Sequence, residues 1–237
     1  MLGPLIIKKS WVVILTGLIA GFIFLRFYPV QEKNSDVQEV LLNGLIYFVL
    51  AWQFGTVLTR FDLVLSDPLT ALYYPSGIKE FTLGLLVFGG YVWWQHRRQR
   101  VTVPRLLAGL ICIGSPALFL YYFIYESYGL EIQTQWLNWL TVTHHPLHIY
   151  QMFIHLPILL MIVANRHRLH PSAFVSKTMI GWGGAQWLLT FVDPAPSWFG
   201  MNISPHVYGL IVGSGTIWAL NILMKEKKVF SWLKSRT

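Results

Sequence analysis

From Leu106 to Tyr125 the chain runs twenty residues without one charged side chain, `LLAGLICIGSPALFLYYFIY`. A stretch of that length spans the roughly 30 Å hydrocarbon core of a bilayer as a helix, because about 20 residues at 1.5 Å each suffice. In water the same stretch would be a liability. The pattern recurs, and 54% of the 237 residues are hydrophobic, with eleven tryptophans. Candidate spans are Trp11 to Tyr28, Val37 to Thr59, Phe81 to Gln95, Pro104 to Tyr128, Leu147 to Ala164, Phe174 to Val192 and Val207 to Met224. The expectation is an all-α integral membrane protein, a bundle of seven transmembrane helices forming a single membrane domain over residues 1–237. Turn-rich segments separate the spans: `SDPLTALYYPSG`, `YGLEIQTQW` and `DPAPSWFGMNISP`. The amino-terminal `KKSWVVILTGLIAGFIFL` is followed by `RFYPVQ`, which offers no small-residue cleavage site, so it reads as a retained helix.

Basic residues orient such a bundle. With the amino terminus outside and seven crossings, fourteen of the eighteen lysines and arginines fall on the cytoplasmic side: Arg26, Lys33, Arg97, Arg98, Arg100, Arg105, Arg166, Arg168, Lys177 and five in the carboxyl-terminal tail. Lys8, Lys9, Arg60 and Lys79 stay outside, although Lys8 and Lys9 by themselves pull the other way. The formal charge of +8 is then a topology signal and an attraction to anionic lipid, since its basic clusters are dispersed over four segments; it does not point to nucleic acid.

This orientation sorts the remaining polar groups. Asp62, Asp67, Lys79, Glu80, Glu126, Glu131, His144, His145, His148, Asp193 and His206 come to outer ends of spans. Carboxylates and imidazoles converging on one membrane face are what acid–base chemistry near neutral pH requires. Helix ends are also polar for reasons of solvation alone, and Arg166, His167, Arg168 and His170 need no reading beyond the positive-inside rule. The offsets of His145, His148, Met152 and His155 place them on one helical face, pointing to a polar cavity or to a structural hydrogen bond at depth. Gln53 and Gln186 sit inside the second and sixth spans, where an amide can join helices. Cys112 is alone in the fourth span, so no disulfide framework exists, and it reads as a small packing residue.

Several stretches in order, `LLNGLIYFVLAWQFGTVL`, `SDPLTALYYPSGIKEFTLGLL`, `YESYG`, `HPLHIYQ`, `IGWGGAQWLL` and a last helix ending in `MKEKK`, resemble bacterial prolipoprotein diacylglyceryl transferase. The resemblance covers about Val37 to Lys228. It implies a seven-helix enzyme of the bacterial cytoplasmic membrane that moves a diacylglyceryl group from phosphatidylglycerol to the cysteine thiol of a lipobox-bearing preprotein, with no cofactor. In the family motif HPxQxYE, His145, Pro146 and Tyr150 match, while His148 stands for the glutamine and Gln151 for the acid. Glu126 and Gly129 fall on the Glu and Gly of GRxGNFxNxExxG, whose arginine and asparagine fall on Leu118 and Tyr121. Two further family arginines fall on Gln53 and Gln186, and a histidine near Thr82.

The resemblance thus implies His145, His148 and Glu126 as catalytic groups. Tyr150, Gln53, Gln186, Lys79 and Gly129 would serve substrate binding. Two other functions stay open from the residues. One is a catalytically inactive relative that binds a lipid or a lipoprotein segment on the same scaffold. The other is a metal-dependent enzyme, with His145 and His148 joined by His206, Glu126 or Asp193 around zinc.

Overall fold

The computed structural model describes residues 9–27, 34–66, 77–132, 143–164, 170–193, 197–198 and 201–234. Asp67 and the Arg166, His167 and Arg168 loop therefore lie outside the described residues, as do Lys8 and Lys33. The helices are α1 (Lys9–Phe27), α2 (Asn34–Phe54), α3 (Thr56–Thr59), α4 (Phe61–Ser66), α5 (Ile78–Arg97) and α6 (Val103–Ile124). Strands β1 (Tyr128–Glu131) and β2 (His144–Pro146) follow, then α7 (Leu147–Ala164), α8 (Pro171–Leu189), the short strands β3 (Ser197–Trp198) and β4 (Met201–Asn202), and α9 (Pro205–Lys234).

Among the described residues, four helices are long and apolar enough to cross a membrane: Asp36–Thr59, Val103–Ile124, Leu147–Ala164 and Pro205–Met224. Their outer surfaces carry Leu58, Phe153, Leu160, Leu210 and Ile217 fully in view. Large side chains turned outward on helices of this length face lipid, so the protein is a multi-pass helical membrane protein. Helices α1, α5 and α8 occupy the other expected spans, with α1 holding a shorter apolar run from Leu15 to Leu25.

The chain divides into two compact units, one of residues 31–109 and 199–201, the other of residues 1–30, 110–198 and 202–237. In the smaller unit α2 and α5 pack antiparallel: Phe88 closes over Gly44, Phe48 over Gly84, and Phe48, Trp52 and Phe81 stack edge to face or tilted at 5.4–5.7 Å. A Cβ at Gly55, where α2 gives way to α3, would lie 3.2 Å from the Glu80 side chain. The missing side chain makes room for a carboxylate. Glu80, buried at 5% exposure, accepts hydrogen bonds from the Thr59 hydroxyl and, at 2.8 Å, from the Gly77 backbone N–H. It thereby ties the end of α3 to the first turn of α5, half of a capping box.

In the larger unit α1 runs antiparallel to α6, and Gly17 and Gly21, four residues apart, let the backbones touch at Ala117 and Ile113. Small residues at this spacing are the usual route to close helix contact in lipid, where dispersion replaces the hydrophobic effect. Helices α8 and α9 pair along most of their length in the same way, with Gly183 under Tyr208, Ile211 and Val212, and Gly215 under Ser176, Met179 and Ile180.

Candidate polar site at the start of α7

Pro146 decides where α7 begins. A residue before proline is held extended, so His145 belongs to β2 and the helix starts at Leu147. This takes His145 out of the helical face expected for His145, His148, Met152 and His155, whose other three members stay on α7. The buried face of α7 is instead Leu147, Gln151, His155, Ile158 and Ile162, with Met152 to one side. Strand β2 pairs antiparallel with β1, Tyr128 opposite Pro146 and Glu131 opposite His144 across a bulge. Glu126 stands at the entry to β1, two residues before Tyr128.

Gly129 secures β1 from below. A Cβ there would overlap the Val192 carbonyl oxygen beyond α8, and that oxygen accepts the Leu130 N–H at 2.8 Å. The position takes glycine for want of space, so its role here is packing of the strand.

Three contacts fix the imidazoles. Nδ1 of His148 lies 3.0 Å from the Ser127 carbonyl oxygen and 3.3 Å from the Ser127 nitrogen. One ring nitrogen serves one of these: with Nδ1–H donating to the carbonyl, Nε2 carries the lone pair, and with Nδ1 accepting the Ser127 N–H, Nε2 carries the proton. Second, Nδ1 of His145 lies 3.2 Å from the Tyr150 hydroxyl. Third, the Tyr128 ring stands edge-on to His148 at 5.5 Å, and its hydroxyl donates to Glu126 at 2.8 Å. The hydrogen bond to Glu126 holds the Tyr128 hydroxyl above its ordinary pKa, since the carboxylate favours the protonated phenol. Glu126, Tyr128 and His148 thus form one polar group, with Glu126 and Tyr128 exposed, and His145 and Tyr150 form a second, half-exposed pair at the start of α7.

One helical turn deeper lies a second polar feature. Gln151 of α7 and Gln186 of α8 exchange both amide hydrogen bonds: Gln151 Nε2 donates to Gln186 Oε1 at 3.1 Å, and Gln186 Nε2 to Gln151 Oε1 at 2.6 Å. Both side chains are buried, so Gln186 is an interhelical link. Beside them His155, 2% exposed, stacks on Tyr122 of α6 at 6.3 Å, and neither ring nitrogen has a hydrogen-bond partner. Gln53 and Lys79 belong to the other unit: Gln53 is in the last turn of α2 and Lys79 in the first turn of α5, both exposed. Among the described residues no three His, Cys, Asp or Glu side chains gather around a point that a metal ion could occupy. The partners Ser127 and Tyr128 carry no signal in the sequence, because a backbone carbonyl is available everywhere and one tyrosine among eleven is not distinguished.

No family model matches the sequence. One curated relative is a phosphatidylglycerol–prolipoprotein diacylglyceryl transferase from Pseudoalteromonas atlantica, 29% identical over 142 residues, covering 57% of this chain and 51% of the relative. The chain therefore spans about half the length of the curated relative it matches, and the match is that of a distant relationship.

Proposed function

We propose that this chain is a multi-pass lipid-group transferase, moving a diacylglyceryl group from a phosphatidylglycerol-like phospholipid to the thiol of an acceptor such as a lipobox-bearing preprotein. The observation that carries this is the placement of His148, whose Nδ1 lies 3.0 Å from the Ser127 carbonyl oxygen; in the tautomer that donates there, Nε2 is left to accept a proton. An acceptor thiol of pKa about 8.5 is a poor nucleophile until deprotonated. Its proton passes to His148 Nε2, the sulfur attacks the glyceryl carbon, and the carbon–oxygen bond to phosphate breaks with its electrons leaving on the phosphate oxygen. Glu126, joined to His148 through Tyr128, stabilises the imidazolium formed. His145, held by Tyr150, stands by as the second titratable group on the departing headgroup. Gln53 and Lys79 are assigned to substrate binding from the resemblance alone.

The same reading gives seven crossings in a bacterial cytoplasmic membrane, with the amino terminus and this cluster outside and the carboxyl terminus in the cytoplasm. Reporter fusions after Arg100 and after Lys228 test it: both reporters active on the cytoplasmic side support it, and either on the outer side overturns it.

The Gln151–Gln186 pair favours a second reading, an inactive lipid-binding relative. These positions correspond to an acid and an essential arginine in the family, and here they close on each other as a neutral pair. Purified protein incubated with phosphatidylglycerol and a lipobox peptide separates the two. A diacylglyceryl mass increment on the peptide supports transfer; intact co-purified phospholipid with no increment, beside an active family enzyme as control, supports binding alone.

A further inference from the structure

At the far end of α5 from Glu80, the sequence `WWQHRRQR` closes the helix with an unusual economy of parts. The Gln99 N–H donates to the His96 carbonyl at 2.9 Å, the Arg100 N–H to the Gln95 carbonyl at 3.3 Å, and Gln99 takes φ of 57°. That is a Schellman closure with a left-handed residue after the cap. His96 Nδ1, 3.1 Å from the Val101 carbonyl, ties the turn to the chain entering α6. The arginines here are therefore mounted on a fixed turn.

Their side chains are fixed as well. The Arg97 guanidinium lies 5.0 Å from the centre of the Trp93 ring, and the Arg98 guanidinium 4.0 Å from that of Trp94, each one helical turn back. Both indoles are exposed, at 61% and 47%. Stacking uses the face of a guanidinium and leaves its N–H edge free to grip an oxyanion with two parallel bonds. Among the described residues neither Arg97 nor Arg98 has a carboxylate within ion-pair distance. Arg100 meets Glu39, at 3.7 Å between two half-exposed side chains. Exposed indoles at the end of an apolar helix also sit where lipid headgroups lie. The carbonyls of Gln95 and His96, which would repel an anion, are occupied by the Schellman N–H groups.

We propose that Trp93, Trp94, Arg97, Arg98 and Arg100 form a binding site for the phosphate of an anionic membrane lipid, separate from the polar cluster at the start of α7. The indoles set the depth, the stacked guanidinium groups take the phosphate oxygens, and Arg100 adds charge. This site fixes the α5–α6 turn at the headgroup layer and recognises the charge and phosphate of the lipid, independently of any transfer chemistry.

The test is native mass spectrometry of the full chain in a neutral detergent, titrated with phosphatidylserine or with phosphatidylcholine. Phosphatidylserine is chosen because it is anionic without carrying the glycerol headgroup of the proposed donor. Each basic residue near an anionic lipid contributes on the order of fivefold in affinity. Arg97→Gln/Arg98→Gln is therefore expected to cut the preference for phosphatidylserine at least tenfold, and Arg97→Lys/Arg98→Lys to restore it only in part, since an ammonium neither stacks nor forks in the same way. A preference unchanged in the glutamine variant overturns the site, and full retention in the lysine variant overturns the stacked-guanidinium account. Melting of both variants in neutral lipid at the wild-type temperature shows that the fold is intact; if the glutamine variant melts lower, Arg97→Gln alone, judged by the same preference, decides.

Discussion

Removing one member of the Gln151–Gln186 pair should cost more than removing both. The two amides exchange two hydrogen bonds at 3.1 and 2.6 Å between side chains that are 8% and 2% exposed. Interhelical hydrogen bonds inside membrane proteins average about 0.6 kcal/mol and reach about 1.7. Two together should therefore couple the residues by about 1 to 3 kcal/mol. Gln151→Leu alone leaves the Gln186 amide buried without a partner, at about 1–3 kcal/mol, and Gln186→Leu does the same to Gln151. The double leucine variant orphans neither amide and fills the space with an apolar side chain, so it should be no less stable than either single. The assay is a double-mutant cycle by reversible unfolding in mixed micelles, with wild type, both singles and the double under one lipid composition. A further arm puts charge back. Gln151→Glu alone buries an unpaired charge at a cost of about 3–5 kcal/mol, and adding Gln186→Arg should recover most of it. Strict additivity of the two leucine variants, with coupling below about 0.5 kcal/mol, would refute the claim that this pair joins α7 to α8.

Gly21→Leu should lower stability by about 2 kcal/mol or block accumulation in the membrane, because its Cβ would lie 2.6 Å from the Ile113 Cα. Gly114→Ala, which meets nothing within 4 Å, serves as the neutral comparison in the same melting experiment. Glu80→Ala should cost roughly 2 kcal/mol in the same melting experiment, through the lost bonds from Thr59 and Gly77. Gln99→Gly should raise the melting midpoint, corresponding to up to about 1 kcal/mol, by relieving a non-glycine residue at positive φ; an unchanged or lower midpoint would count against strain there.

The apolar runs made the membrane class and the positions of the helices legible, because twenty uncharged residues have few alternatives. Some of the side-chain neighbours were legible in the residue types: His145 meets Tyr150, and Tyr128 touches both His148 and Glu126. What the spacing obscured was the break at Pro146, which moves His145 from helix to strand and shifts the buried face from Met152 to Gln151. Helical offsets treat a segment as one helix, and a single proline is enough to end that assumption. The Gln151–Gln186 pairing was hidden for another reason: periodicity tells which residues share a face but not which two faces meet. The Gly17 and Gly21 contact could have been found from its four-residue spacing in an apolar helix. The Schellman turn at Gln99 could not, since glutamine is an unusual choice for a left-handed position.

The claim that His148 acts as the proton acceptor in diacylglyceryl transfer is tested most directly by the mass increment on a lipobox peptide, followed over time with wild type, His148→Ala and His148→Gln. Loss of a general base costs on the order of 100-fold or more in rate. The account predicts a drop of that size in both variants, with wild-type melting behaviour. Transfer at the wild-type rate in the alanine variant would contradict it and remove His148 from the chemistry.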